Sequence, residues 1–422
     1  MQISCALEKG IHPRAGGTVV LGVSCSHGTV RFGARPDLSI AAALDRSASM
    51  KGGTKLADMK AATRMLVESL GPRDRLVLVA FDSGAEVLAA GPVVEKQSFM
   101  EAIDSVECRS GTNISLALET AGRFLEGDRS GNVKRLLLLT DGEASKGDTS
   151  AIGLARRAEQ LARSEIVTTC LGFGLEYDED TLSLIAGAGA GRFHHVSEQG
   201  KLTSIYEREL ERMRSLVAPW MSVTVTPQDG ARVLGSRNNY PMKRLGSALE
   251  LELSDLTMGE ARWVLFDVAV APTTPQTDEA RLCDVTVRWK DHQGAERDET
   301  QHVSVKYADD ATARNAELNG EVLVQMALLD AAAAKECALD DVDAGTFTVG
   351  SERLENTLER IAGTTARFGD QRVFRELARM KELARRLAAG EIDPEARKVI
   401  REEIHEGRTP TFRIDLGDAP PI

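Results

Sequence analysis

Between Leu38 and Val217 short apolar runs alternate with stretches of helical period, and this alternation limits the fold more than any other feature of the chain. The runs are LSIAAAL (38–44), RLVLVAF (75–81), EVLAAG (86–91), RLLLLTD (135–141), IVTTCLGFG (166–174) and GRFHHVS (191–197). Most are apolar at every position, which suits strands covered on both faces. The segment TKLADMKAATRMLVESL (54–70) places Leu56, Met59, Ala62, Met65, Leu66 and Leu70 at helical spacing. KQSFMEAIDSV, ISLALETAGRFL, SAIGLARRAEQLAR, EDTLSLIAGA and KLTSIYERELERMRSLV (201–217) are further helix candidates. Strand–helix alternation predicts an α/β fold with a doubly wound, mainly parallel sheet. The EVLAAG run follows its predecessor after a short turn and is expected as an antiparallel edge hairpin.

After Pro219 the period changes to two. SVTVT, LELEL, WVLFDVAV, CDVTVRW and HVSVKY alternate apolar with polar residues, and Val264, Phe266, Val268 and Val270 share one face. This pattern predicts an antiparallel β-sandwich to about Tyr307. QISCAL (2–7) and TVVLGVS (18–24) are strand-like too. They either edge the α/β unit or complete the later sandwich, and the second reading makes the α/β unit an insertion. From Ala311 the chain is rich in Ala and Leu at helical spacing, with Val373, Leu377, Met380, Ala384 and Leu387 on one stripe, as in a helical hairpin or small bundle. The expected division is sandwich over 1–34 and 218–308, α/β domain over 35–217, C-terminal helical bundle over 309–408, and a frayed tail over 409–422.

Composition excludes several classes. Acidic residues outnumber basic ones, 64 to 52, for a net charge of −12. That argues against nucleic acid and against anionic membrane surfaces as partners. The six cysteines form no Cys-x-x-Cys pair, so a zinc knuckle is not expected and free thiols are. The first residues lack the pattern of a signal peptide, and no run reaches the roughly 18 apolar residues of a membrane helix. A cytoplasmic protein without membrane insertion is the expectation.

The chemistry gathers in three loops separated in sequence, two of them at strand ends. LDRSASM sets Asp45, Ser47 and Ser49 on alternate positions after an apolar strand. RSGTNISLALE holds Thr112 in a polar loop before a helix, and LLLLTDGEAS sets Asp141 at another strand end. Ser and Asp also make turns and helix caps, which is the plain reading of each stretch alone. In an open parallel sheet, however, ligands collect beyond the carboxyl ends of the strands. Two carboxylates and three hydroxyls there form a hard oxygen set, suited to Mg²⁺, with Mn²⁺ or Ca²⁺ as competitors, and not to zinc.

Asp-x-Ser-x-Ser, a loop Thr and a strand-end Thr-Asp-Gly together resemble the metal-ion-dependent adhesion site (MIDAS) of von Willebrand factor type A (VWA) domains. The resemblance covers about Leu38 to Val217 and implies a Rossmann-like fold. It implies that Ser47, Ser49 and Thr112 coordinate through hydroxyls and that Asp45 and Asp141 act directly or through water. It also implies a partner protein whose Asp or Glu completes the coordination. The order of segments is similar, more loosely, to bacterial VWA proteins related to inter-alpha-trypsin inhibitor heavy chains. A scaffold or regulatory subunit, not an enzyme, is the expected role; a metal-dependent phosphoester hydrolase and a purely structural metal are the alternatives. The tail's Asp415 and Asp418 are second candidates to cap the metal, by self-association with a neighbouring copy. The resemblance further suggests that helix 201–217 slides when the metal loop rearranges.

Other features have plainer readings. Asp82 and Glu143 lie near the motif as candidate bases, yet Asp82 can simply orient a loop and Glu143 line a rim. Gly187, Gly189 and Gly191 follow a helix and precede a strand, the reverse of a dinucleotide turn, so a tight turn is expected. Lys55 lacks the spacing of a phosphate-binding lysine. His194 and His195 are adjacent on a strand, point to opposite faces and are expected in packing or surface roles. Cys170 is expected as an inert core residue.

Overall fold

The computed structural model describes residues 1–28, 35–130, 132–197, 201–291, 294–365, 368–409 and 411–413. Asp415 and Asp418 lie outside the described residues. The α/β unit is a six-stranded sheet ordered Ala85–Pro92, Arg75–Phe81, Leu38–Asp45, Val133–Thr140, Ile166–Phe173, Ala190–Val196. All neighbours are parallel except the edge strand Ala85–Pro92, which pairs antiparallel with Arg75–Phe81. Leu38–Asp45 is buried at every position. Its Leu38, Ile40, Ala42 and Leu44 pack with Met59, Leu66 and Tyr206 on one side, and Ala41 and Ala43 pack with Leu118 and Leu125 on the other. Two apolar layers on one strand explain its unbroken apolar run.

Two antiparallel sheets enclose a second core. One contains Gln2–Leu7, Gly17–Ser26, Glu260–Val270 and Ala231–Ser236; the other contains Met242–Leu245, Ala248–Thr257, Leu216–Pro227, Glu279–Lys290, Glu296–Ala308 and Ile11–Pro13. The N-terminal strand Gly17–Ser26 pairs along its whole length with Glu260–Val270, on the far side of the α/β unit in sequence. Val23, Val223, Leu251, Phe266, Val285 and Val305 meet between the sheets. The outer face of the first sheet is closed by the helix Gly320–Asp343, whose Val322 and Leu329 cover Val20 and Leu265. Phe347–Thr365, Gln371–Ala388 and Pro394–Arg408 complete the helical part around Leu354, Met380, Leu387 and Ile404.

Three boundaries differ from the sequence reading. The helix expected over 201–217 stops at Arg214, and the sandwich strand already begins at Leu216. Pro219 therefore lies inside a strand. It is tolerated because the ladder with Ala248–Thr257 is interrupted between Ala218 and Met221, where Trp220 takes φ 54°. The tail is not frayed from its start, since Thr411–Arg413 pairs with Glu260–Arg262. Finally, the short strands Ile11–Pro13, Ala231–Ser236 and Met242–Leu245 carry too few alternating positions to signal themselves.

The glycine run behaves as a turn. Gly187 lies in the helix Glu179–Ala188, Gly189 caps it, and Ala190 at φ 54° opens the strand. Gly191 is the sterically demanding member, because a Cβ there would meet the Thr168 carbonyl oxygen at 2.0 Å. Gly191→Ala is expected to cost about 2 kcal/mol through forced separation of the last two strands. A lowered urea midpoint with an unchanged slope would register it; an unshifted midpoint would mean that the strands part freely.

Candidate metal centre

The sheet reverses its strand order between Leu38–Asp45 and Val133–Thr140. A crevice at such a switch point is where α/β sheets place their ligands. Asp45 ends the first of these strands and Asp141 follows the second. Both carboxylates are fully buried, with 0% of either residue exposed. Each loop is fixed by its own backbone. After Asp45 the chain turns through the short 3₁₀ helix Ala48–Lys51, which carries Ser49 back over the strand end. Thr112 is tied to both neighbouring loops. Its carbonyl accepts from Ser145 N at 2.9 Å, and the next residue's N–H, on Asn113, donates to the Asp82 carbonyl at 2.7 Å. Gly111 makes this approach at φ 89°, a conformation other residues rarely adopt.

The side chains converge. Ser49 Oγ donates to Asp141 Oδ1 at 2.7 Å, Ser47 Oγ lies 3.3 Å from the same oxygen, and the two serine oxygens are 2.8 Å apart. Asp45 Oδ1 accepts from Ser47 N at 2.7 Å, and Asp45 Oδ2 accepts from Thr140 Oγ1 at 2.5 Å. Thr112 reaches the same spot from the third loop. A Cβ built on Gly142 would lie 3.5 Å from Ser49 Oγ and 3.7 Å from Thr112 Oγ1. Ser47, Ser49 and Asp141 are thus in direct contact, Asp45 joins them through the Ser47 N–H, and Thr112 lies on the adjoining loop.

Two participants were not anticipated. Lys55 Nζ donates to Asp141 Oδ2 at 2.7 Å, with Glu176 Oε2 at 3.6 Å. Its signal lay in position alone, as the first residue of the helix that follows the serine loop. Thr140 orients Asp45, a role concealed by its place at the end of an apolar run. Asp82 keeps its loop-orienting role: it accepts from Gly84 N at 2.8 Å and from Arg46 Nε at 2.7 Å. Burial pushes its carboxyl up, but those donors outweigh burial and hold it below the usual range. Glu143 is exposed at the rim.

The donor set fits a hard divalent cation. Two buried carboxylates, Asp45 and Asp141, feel each other's charge, and the Lys55 ammonium contacts Asp141. Burial, opposed by the Thr140 and Ser47 hydrogen bonds and aided by the charge of Asp141, pushes the Asp45 carboxyl up to about 6. A second positive charge is what such a pair lacks. Among the described residues no group of three or more His, Cys, Asp and Glu is arranged to hold a metal ion.

The histidines are not at the surface. His194 is buried and lies 3.2 Å from both Glu209 and Glu402, while His195 pairs with Tyr177 Oη at 2.7 Å on the opposite face. Cys170 is buried with its thiol pushed up by burial, and all six cysteines are free.

An α/β sheet of this order, with oxygen-bearing loops at its switch point, defines the class: the unit is a VWA domain. Residues 40–143 match the family model of the von Willebrand factor type A domain. The chain is 25% identical over 252 residues to the Synechocystis protein sll0103, covering 57% of this chain and 59% of that one. It is 27% identical over 211 residues to human inter-alpha-trypsin inhibitor heavy chain H4, covering 45% of this chain and 22% of that one. It thus spans between about a fifth and three fifths of these curated relatives. The whole architecture is similar to a von Willebrand factor type A protein from Catenulispora acidiphila, with TM-score 0.75, 17% identity and 97% of each chain covered. VWA domains are adhesion and protein-interaction modules. Among the described residues no helix is long and apolar enough to cross a membrane.

Proposed function

We propose that this chain is a protein-binding module, acting as a scaffold or regulatory subunit, whose VWA domain binds a partner protein through a divalent cation. Asp45, Ser47, Ser49, Thr112 and Asp141 would hold the ion, Mg²⁺ in first place and Mn²⁺ or Ca²⁺ as alternatives. When bound, the ion supplies an electrophilic position open to an Asp or Glu carboxylate of the partner. The observation that carries this reading is the meeting of two fully buried carboxylates with three hydroxyl residues at the sheet's switch point. Lys55 neutralises part of that charge, and Glu176 offers its ammonium a second carboxylate. The neighbouring carboxylates argue against a hydrolase: Asp82 is engaged by Arg46, and Glu143 is exposed.

The test is selection of displayed peptides on the immobilised chain in Mg²⁺. Bound peptides are expected to share an acid whose change to the amide weakens binding roughly 30-fold or more, as loss of a desolvated charged contact does. Chelator, or Thr112→Val, should release them equally. Peptides that bind as well in chelator, or with the amide, would remove the cation from the interaction.

A further inference from the structure

A second crevice lies where the amino ends of the VWA sheet's last strands meet the sandwich. It is a cavity of about 60 Å³, lined from the sheet by Arg135 and Arg192, from the helix Lys201–Arg214 by Arg212, and from the sandwich by Arg262. Four guanidinium groups around so small a space demand compensation. Two have it. Arg135 pairs with Asp255, and Arg212 pairs with Glu260. Glu209 lies 3.2 Å from His194. Arg192 and Arg262 have no carboxylate contact among the described residues.

Arg262 is buried, 5% exposed. Its guanidinium donates to the Tyr240 hydroxyl at 3.2 Å and to the Leu253 carbonyl at 3.1 Å, both neutral, and its Nε is buried with no partner. Arg192 is half-buried, and no hydrogen bond from its side chain is formed among the described residues. Burial, then the nearby charge of Arg212, push the Arg192 guanidinium down to about 10, with Arg262 adding to the effect. The four arginines on the wall face two carboxylates there, Glu209 and Asp255, and a third, Glu260, pairs with Arg212 from behind. The crevice is one negative charge short.

We propose that this crevice binds a small oxyanion of the phosphate class between Arg192 of the VWA domain and Arg262 of the sandwich. Guanidinium groups match the oxygens of a tetrahedral anion in pairs. The space holds about one such ion or a few waters. The crevice adjoins a wider cleft that shares Arg192, Glu209 and Arg212 and adds His194 and Arg208 beside three further carboxylates, Glu211, Glu260 and Glu406. Those carboxylates repel a long polyanion, so a free small ion fits better than a nucleotide. The bound ion would hold the two domains in one relative position.

The test is thermal melting of the whole chain, titrated with inorganic phosphate against sodium chloride at equal ionic strength. About 10 mM phosphate is expected to raise the midpoint by a few degrees over chloride, and inorganic triphosphate by less. Arg192→Met should abolish the rise. It should also melt no lower than the parent in chloride, because it removes a cation facing two others. No rise over chloride, or an equal rise in Arg192→Met, would overturn the proposal. Should Arg192→Met fail to fold, Arg192→Lys decides by calorimetry. It keeps the charge and loses the paired donors, so phosphate affinity should fall about tenfold; unchanged affinity would be a refutation.

Discussion

Asp45→Asn is expected to stabilise the metal-free protein by about 1–2 kcal/mol and at the same time to abolish its response to Mg²⁺. Both effects come from the same fact. Asp45 and Asp141 are each fully buried, and the one ammonium in contact, that of Lys55, rests on Asp141. Asp45 has only the Ser47 N–H and the Thr140 hydroxyl to offset its burial. Removing its charge relieves the empty site but leaves a cation short of a carboxylate. In the parent chain, Mg²⁺ at a hundred times its dissociation constant should add about 2.7 kcal/mol. Asp141→Asn makes the contrast. It also loses Mg²⁺ but strands the Lys55 ammonium beside Glu176, so no gain in metal-free stability is expected. Melts of chelator-treated protein, with and without added MgCl₂, separate the variants. If Asp45→Asn melted lower in chelator and still gained from Mg²⁺, the pair of carboxylates would not be a cation site.

A metal that only stabilised would satisfy those melts, and so the partner experiment carries independent weight. The face around the crevice must then supply contact area, because one carboxylate contact cannot hold a complex alone. Exposed Leu175 and the Glu176 carboxylate border Lys55 on that face. The helical part is well placed to sense events in the VWA domain. Lys398 donates to the Tyr177 carbonyl at 2.7 Å and pairs with Glu179 at 2.5 Å, and Arg397 pairs with Asp180 at 2.9 Å. The helix-to-strand junction at Ser215 is one residue long, which leaves the helix Lys201–Arg214 little slack for sliding.

The α/β unit could be read in the sequence because its strands are buried on both faces, as Leu38–Asp45 shows, and an unbroken apolar run survives any uncertainty of register. The candidate site is legible because Asp45 and Asp141 sit at neighbouring strand ends, where position follows from topology. Lys55, by contrast, reaches Asp141 by the length and direction of its side chain, which spacing does not encode. Pro219 looks like a boundary in the sequence because proline disfavours the interior of a strand. The bulge between Ala218 and Met221 removes that objection, and a bulge leaves no compositional mark. The arginine crevice was invisible for another reason. Arg135, Arg192, Arg212 and Arg262 come from two domains, and each alone resembles an ordinary surface charge.

The junction of the last helix with the sheet predicts a second large effect. Burial works against the His194 imidazolium, but hydrogen bonds and charge from Glu209 and Glu402 outweigh burial and push its pKa up to about 9. Glu209 lies on the helix Lys201–Arg214 and Glu402 on Pro394–Arg408, so the cation fastens one helix of each part to the edge strand. The folded value lies above the unfolded one of about 6.5, so the folded state holds the extra proton between them. The stabilisation is therefore complete below pH 6.5 and is lost as pH rises through 9, by roughly 3 kcal/mol in all. His405, nearby on the same helix, runs the other way. Burial, with Arg192 and His194 adding to it, pushes it down to about 4 despite its contact with the Gly191 carbonyl. Its contribution is lost as pH falls from 6.5 towards 4, which places the combined maximum near neutrality. Buried thiols such as Cys25 and Cys283 also weaken the fold at alkaline pH, their pKa values being pushed up to about 12. The useful quantity is therefore the difference between the parent and His194→Gln. In urea denaturation that difference should shrink by roughly 3 kcal/mol between pH 6.5 and pH 9.5. Parallel curves across that range would mean that His194 is neutral in the folded protein and that it adds no charge contact to those of Arg397, Lys398 and Arg401.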